Sequence, residues 1–313
     1  MNVPLLLAPM AEISHRAFRE LIEKFGGCDG YFSEMISAGA LLTDGQFERW
    51  YTDTGPKPEK LVFQVVGSDI EKISGAAAIL DGMDCAGIDI NMGCSAPIIR
   101  KTGAGAAWMK DIDRAGNLIS SVRKAVKRRL SVKLRIGYKD DFEFLVRFCH
   151  RLESEGTELI TLHPRTVMEK FKRLAKWEYV GALRKELKIP VAGNGDIACA
   201  EGIVRRSLEC DAVMVGRAAV RQPWIFSEAK TLSPNRASGE SSVPNIEETG
   251  LQFIDLLAKY QPPEFHLSRA MRFFGYFCDN LKWGTFLKNN LNREKTLSGI
   301  EGAWRLYFRE NDG

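Results

Sequence analysis

The 313-residue sequence contains no run of 18 or more apolar residues, so no membrane-spanning helix is expected. Its opening stretch, MNVPLLLAPMAEISHR, carries an apolar patch without a basic leading segment or a small-residue cleavage site. It therefore reads as a buried strand and not as a signal peptide. No two cysteines stand in a Cys-x-x-Cys spacing. The seven (Cys28, Cys85, Cys94, Cys149, Cys199, Cys210 and Cys278) are odd in number and scattered. A disulfide framework and a metal centre are both disfavoured, and a reducing cytoplasm fits. Apart from Cys94, discussed below, they read as small buried hydrophobes. Neither sign of charge dominates: 44 basic against 40 acidic residues leave +4, too little to mark a nucleic-acid partner by itself. From Lys259 onward, however, nine basic and six acidic residues give 9 − 6 = +3 of that total. No Gly-x-Gly-x-x-Gly turn follows the first apolar run, which continues as APMAEIS, and this counts against a doubly wound dinucleotide fold.

What is present is a repeated pairing of apolar run and amphipathic stretch, and 45% hydrophobic residues are enough for a large core. The runs are VPLLLAP (3–9), YFSEMI (31–36), LVFQVVG (61–67), GIDINMG (87–93), SVKLRIG (131–137), LITLHPR (159–165), PVAGNGD (190–196) and AVMVGRA (212–218). They lack strict polar alternation, as strands buried on both faces should. Segments such as SHRAFRELIEKFGG, opening at a Ser cap and stopping at glycines, read as the helices between them. Eight such units predict an α/β fold, a (β/α)8 TIM barrel over 1–235. TLSPNRASGESSVPN (231–245) reads as a linker, and 245–313 as a small C-terminal helical domain.

In such a barrel the active site lies at the carboxyl ends of the strands. Those ends deliver Ala8, Pro9 and Met10; Glu34; Gln64; Asn91 and Cys94; Lys133 and Arg135; His163 and Arg165; Asn194, Gly195 and Asp196; and Gly216 and Arg217. Polar groups are costly inside a barrel unless paired. Lys133 could pair with Glu34, and His163 could be a satisfied core histidine, but eight strands converging on one mouth point to a site. The segments AGNGDI and VGRAAV each precede a helix start, where backbone N–H groups favour phosphate, and Arg217 adds positive charge. Lys133 could set a cation beside an electron-rich ring, and Gln64 and the backbone near Met10 could meet a pyrimidine-like edge. This suits flavin mononucleotide; a sugar phosphate remains open on the residues alone.

The segments APMAEISHRAFRELIEKFGG, FSEM, QVVGSD, DINMGC, GAGAAWMKD, VKLRIG, LHPRT, VAGNGDI and DAVMVGRAAVRQPWIF stand in the order and spacing of the flavin-dependent tRNA-dihydrouridine synthases. The chain resembles that family over residues 4–228, and more weakly through SRAMRFFGYFCDNLKWG, which is similar to its helical tRNA-binding domain. The resemblance implies reduction of the C5–C6 double bond of a tRNA uridine by FMN, itself reduced by NADPH. It implies that Cys94 is the acid that protonates C5, and an ordinary thiol is protonated at neutral pH and can donate. The glycine-rich loop after Cys94 is expected to close over the site. By the same resemblance Gln64, Lys133 and His163 contact the flavin ring, and Asn194, Gly195, Gly216 and Arg217 the phosphate. The resemblance also implies Asn91 and Arg165 near the uracil, and Arg269, Arg272 and Lys282 are expected to meet RNA phosphates. The sequence departs from the family in reading GCS where GCP is usual, with a proline at Pro97, and in carrying Pro164 after His163. A small-molecule FMN reductase resembling dihydroorotate dehydrogenase and a non-catalytic RNA-binding barrel are the competing readings. A monomer is the default expectation.

Overall fold

The computed structural model describes residues 3–55, 57–169, 172–232 and 244–311. Eight parallel strands close on themselves in sequence order. They are β1 (Leu5–Leu7), β2 (Gly30–Ser37), β3 (Leu61–Val66), β4 (Gly87–Met92), β5 (Arg129–Gly137), β6 (Leu159–Thr166), β7 (Val191–Asn194) and β8 (Ala212–Val215). Each apolar run supplies one strand and helices separate them, which makes the fold a (β/α)8 barrel. Among the described residues no helix is long and apolar enough to cross a membrane.

Three strands correct the expectation of apolar character on both faces. In β4, β5 and β6, Asp89, Asn91, Ser131, Lys133, Arg135, Thr161, His163 and Arg165 alternate with apolar residues. A period of two sends one set into the barrel and the other toward the helices. Ile88, Ile90, Val132, Leu134, Ile160 and Leu162 accordingly join the large outer core. A separate small cluster of Leu6, Phe32, Leu159, Ala192, Ala212 and Met214 fills the barrel interior. The register then stacks the polar residues side by side. Gln64 pairs with Asp89, Asn91 with Lys133, and Arg135 with His163.

After the barrel come the helices Ile246–Tyr260, Pro263–Phe277, Gly284–Leu291 and Leu297–Asn311. Asn245 caps the first by accepting the Glu248 N–H at 3.0 Å, a recurrent helix start. The expected linker lies, for residues 233–243, outside the described residues. Phe273 stacks on Phe253 at 3.7 Å between ring centroids and reaches Phe18 of the barrel helix Arg16–Lys24 at 6.2 Å. The helices therefore share one continuous core with the barrel.

Arg269, expected to meet RNA phosphates, is instead 1% exposed. Its Nη2 donates to Glu34 Oε2 at 2.9 Å, and its guanidinium lies 4.4 Å from the Phe265 ring centroid. Glu34 also accepts the Glu12 N–H at 2.6 Å. A charge on the barrel-facing side of the helix Pro263–Phe277 must find a counter-charge when buried, and β2 supplies it. Glu34 is thus not the partner of Lys133, whose Nζ donates to Asn194 Oδ1 at 3.0 Å. Removing one member of a buried pair leaves the other uncompensated. We expect Arg269→Met to lower unfolding free energy in urea by about 3–5 kcal/mol, and Glu34→Leu added to it to recover most of the loss.

Candidate active site

A cavity of about 470 Å³ opens at the carboxyl ends of the strands. Its wall holds Ala8, Pro9, Met10, Asn91, Cys94, Lys133, His163, Asn194, Gly195, Asp196, Gly216 and Arg217, all expected there from sequence. Three cations on the wall (Lys133, Arg135 and Arg217) face one carboxylate, Asp196. Burial and the neighbouring Arg135 push Lys133 down to about 8. Burial and the nearby Arg165 likewise push Arg135 down to about 10. Such a wall favours an anionic ligand.

Cys94 sits on a turn held from several sides. The Asn91 side-chain oxygen accepts the backbone N–H of Gly93 at 3.2 Å and of Cys94 at 2.9 Å. Arg135 Nε donates to the Gly93 carbonyl at 3.1 Å, and the Cys94 carbonyl accepts the Ala106 N–H at 3.0 Å. Pro97 opens the short helix Pro97–Lys101, a position where its missing N–H costs nothing. The GCS departure therefore leaves Cys94 on the cavity wall. The glycine-rich segment does not form a lid. Gly105–Lys110 is a 3-10 turn whose first five residues are buried. Gly105 has φ +59, and a Cβ there would lie 2.8 Å from the Cys94 carbonyl oxygen. Its glycine permits a close approach under Cys94, not closure over it. Of the other six cysteines, five are buried as expected, but Cys199 is exposed.

Behind Asn91 lies a chain of side-chain hydrogen bonds. Asn91 Nδ2 donates to Gln64 Oε1 at 2.7 Å, and Gln64 Nε2 donates to Asp89 Oδ2 at 2.7 Å. Ser131 Oγ donates to Asp89 Oδ1 at 2.6 Å. Burial pushes the Asp89 carboxyl up to about 6. Gln64 is fully buried, and both ends of its amide are engaged beneath the cavity.

Arg165 is 2% exposed and lies behind two residues of the wall, His163 and Asp196. Its Nη2 donates to both Asp196 oxygens at 2.6 and 2.7 Å, and its Nη1 lies 2.9 Å from His163 Nε2. A guanidinium only donates, so His163 accepts at Nε2 and its proton resides on Nδ1. Burial, then Lys133, Arg135, Arg165 and Arg217, hold His163 well below its ordinary value, so it is neutral. Gly195 (φ +124) leaves room for that ring, since a Cβ would come within 2.9 Å of His163 Cδ2. Asn194 orients Lys133, its amide locked by donation to the Met214 carbonyl at 2.8 Å.

The two helix starts expected after β7 and β8 differ in their distance from the cavity. The helix Arg217–Arg221 starts at the wall directly after Gly216, but the helix Ala200–Arg206 starts beyond the cavity lining. Arg272 and Lys282 lie away from the cavity on the helical segment, both exposed. Arg272 pairs with Glu12 at 2.6 Å. Sequence reasoning missed Met35, Ser95, Ala96, Pro97, Ile197 and Met214 on the wall, since small and apolar residues there carry no chemical signal. It also missed Asp89, which the alternation of GIDINM could have revealed.

A wall of cations and a positioned thiol at the mouth of a (β/α)8 barrel define an enzyme acting beside an anionic ligand. The family model described as dihydrouridine synthase matches residues 6–304. A probable tRNA-dihydrouridine synthase of Aquifex aeolicus is 34% identical, with 72% of each chain covered. One of Rhodobacter capsulatus is 31% identical over 88% of this chain and 82% of its own. The tRNA-dihydrouridine synthase B of Pseudomonas aeruginosa is 27% identical over 99% of this chain and 94% of its own. A 2-naphthoyl-CoA reductase structure shares the fold at TM-score 0.53 and 10% identity, covering 72% of this chain and 49% of that one. The chain belongs to the dihydrouridine synthase family and is a flavin-dependent oxidoreductase.

Gly105→Ala should cost about 1–3 kcal/mol for a side chain in the left-handed region, read as a lowered urea midpoint. The Cys94 turn should shift with it, read as a changed alkylation rate at that thiol.

Proposed function

We propose that the chain is a tRNA-dihydrouridine synthase that reduces the C5–C6 double bond of specific tRNA uridines, with FMN as its flavin and NADPH as reductant. The observation that carries this reading is Cys94, braced on the wall of a cation-lined cavity that also holds Lys133. The residues present fit the cofactor. Gly216 and the first N–H groups of Arg217–Arg221 suit a phosphate, Arg217 balances its charge, and Lys133 suits an electron-rich ring. When bound, the flavin supplies the two electrons for reduction of the double bond. Neutral His163 is left with Nδ1–H as its donor, and Asn194 keeps Lys133 in place.

The remaining step belongs to Cys94. Its S–H bond breaks as a C5–H bond forms on the uracil, and the thiolate regains a proton from solvent. A uracil inside folded tRNA is stacked, so it must swing out of the stack to reach the cavity, at a cost of a few kcal/mol. Exposed Lys282, and Arg272 on exchanging Glu12 for a phosphate, supply phosphate contacts, and Trp283 and Phe286, 56% and 62% exposed, offer stacking faces beside Lys282. The protein acts as a monomer in the cytoplasm on this reading.

Bulk tRNA from cells lacking the gene should lose dihydrouridine at one position by mass-spectrometric mapping. Wild type should restore it and Cys94→Ala should not. Loss at no position would remove the tRNA reading. A pH dependence follows from Lys133. Below about 8 it is charged and attracts an anion; above, the charge is lost. Affinity of the flavin-free protein for FMN, followed by fluorescence quenching, should fall between about pH 7 and 9. Lys133→Met should remove that step.

A further inference from the structure

Outside the cavity, a groove of about 550 Å³ runs between the loop after β1 and the helix Pro263–Phe277. It is lined by Glu12, Ser268, Met271, Arg272, Gly275 and Tyr276. The helical residues recur at helix spacing, on the face turned away from buried Phe273, Phe274 and Phe277. Gly275 is exposed, and a Cβ there would meet nothing within 4 Å. Glycine weakens a helix interior and no packing inside the protein calls for it here; its effect is to leave the groove floor open. Glu12 is the other unusual position. Its φ is +63, a left-handed conformation that glycine adopts freely and other residues rarely do. Its N–H is held by Glu34 Oε1 at 2.6 Å, which fixes where the side chain starts. The carboxylate then reaches Arg272, 260 positions later: Nε and Nη2 both donate to Oε2, at 2.9 and 2.6 Å. Glu12 and Arg272 are 38% and 52% exposed. An ion pair this open adds little to stability, so bracing alone is a poor account of a side chain kept on a strained backbone.

We propose that this groove receives a phosphodiester of an RNA backbone at Arg272, and that Glu12 is a competitor for it carried by the protein itself. The Nε–Nη2 edge of a guanidinium offers two parallel donors and is best matched by two acceptor oxygens. Glu12 presents one oxygen to both donors; a phosphodiester presents two. The exchange leaves the charge of Arg272 balanced and returns the Glu12 carboxylate to water. The open floor at Gly275 admits the sugar–phosphate chain, and Tyr276 offers a ring beside it. Until RNA arrives, Arg272 is neutralised. The same competition acts after the reaction, so it shortens the time that product stays bound. That the anion is RNA rests on the proposed tRNA reduction; the competition for Arg272 does not.

The test uses the flavin-loaded, full-length protein without NADPH, with Glu12→Gly, Glu12→Gln, Arg272→Gln and the double variant Glu12→Gly/Arg272→Gln. Glycine keeps the left-handed turn without strain, and glutamine removes only the charge. Affinity for an unmodified tRNA transcript is read by fluorescence anisotropy at one fixed salt concentration. Both Glu12 substitutions should tighten binding about 2–5-fold, the scale of one exposed ion pair. Arg272→Gln should weaken it, and in that background loss of Glu12 should gain little. Unchanged or weaker binding in both Glu12 variants overturns the proposal, because Glu12 would then be a brace. An equal gain in the double variant also overturns it, because general repulsion and not competition for Arg272 would then act. A readout without RNA keeps this proposal apart from the proposed function: phenylglyoxal labelling of Arg272, resolved by peptide mass spectrometry. It should run several-fold faster in Glu12→Gly, and inorganic pyrophosphate should protect Arg272 more strongly there than in wild type. If wild type binds no tRNA, the proposed function fails and the pyrophosphate comparison judges the competition alone: equal protection overturns it.

Discussion

Three cations share one cavity wall with a single carboxylate, and the neighbouring side chains are arranged to hold that charge in place. Lys133 and Arg135 are each pushed below their ordinary values, so the charged forms are held against a cost. Asn194 locks Lys133, Asp196 and the Arg173 carbonyl occupy Arg165, and Arg165 in turn leaves His163 neutral. An anion in the cavity relieves the repulsion among the wall cations. Ligand binding and site assembly are thereby coupled through electrostatics.

The closed barrel makes this arrangement possible. Parallel strands in sequence order bring all eight carboxyl ends to one side, and the inward polar residues of β4 to β6 stand in adjacent register. The Cys94 turn is braced by Asn91, Arg135 and Ala106, groups from different parts of the chain. A thiol held this way is fixed in one place on the cavity wall. The buried Glu34–Arg269 pair ties the last helices to β2, and Arg272 one turn further reaches Glu12. The loop after β1, which carries Met10 on the cavity wall, is thus bound on its far side to the helix Pro263–Phe277.

All eight strands were legible, because runs such as LVFQVVG and AVMVGRA have no other stable place than a buried sheet. Most of the cavity wall was legible too, once strand ends were read as one mouth. What stayed hidden depends on partners far away in sequence. Arg269 looks like any basic residue on a helix until Glu34, 235 positions earlier, is seen beside it. Gln64 and Arg165 sit one layer below the wall, a depth that strand position alone does not convey. The glycines of GAGAA permit a lid or a tight buried turn equally, and only packing against Cys94 decides. Asp89 was visible as alternation but silent in chemistry, since its role is to hold an amide.

The most direct test of Cys94 as the acid in a flavin barrel is a single turnover. The flavin is reduced anaerobically with NADPH, and its reoxidation by tRNA is followed by absorbance in wild type and Cys94→Ala. The account predicts equal flavin content, equal reduction by NADPH, and reoxidation by tRNA slower by about 10²–10⁴-fold in the variant, the usual contribution of a positioned acid. Reoxidation at the wild-type rate would contradict it.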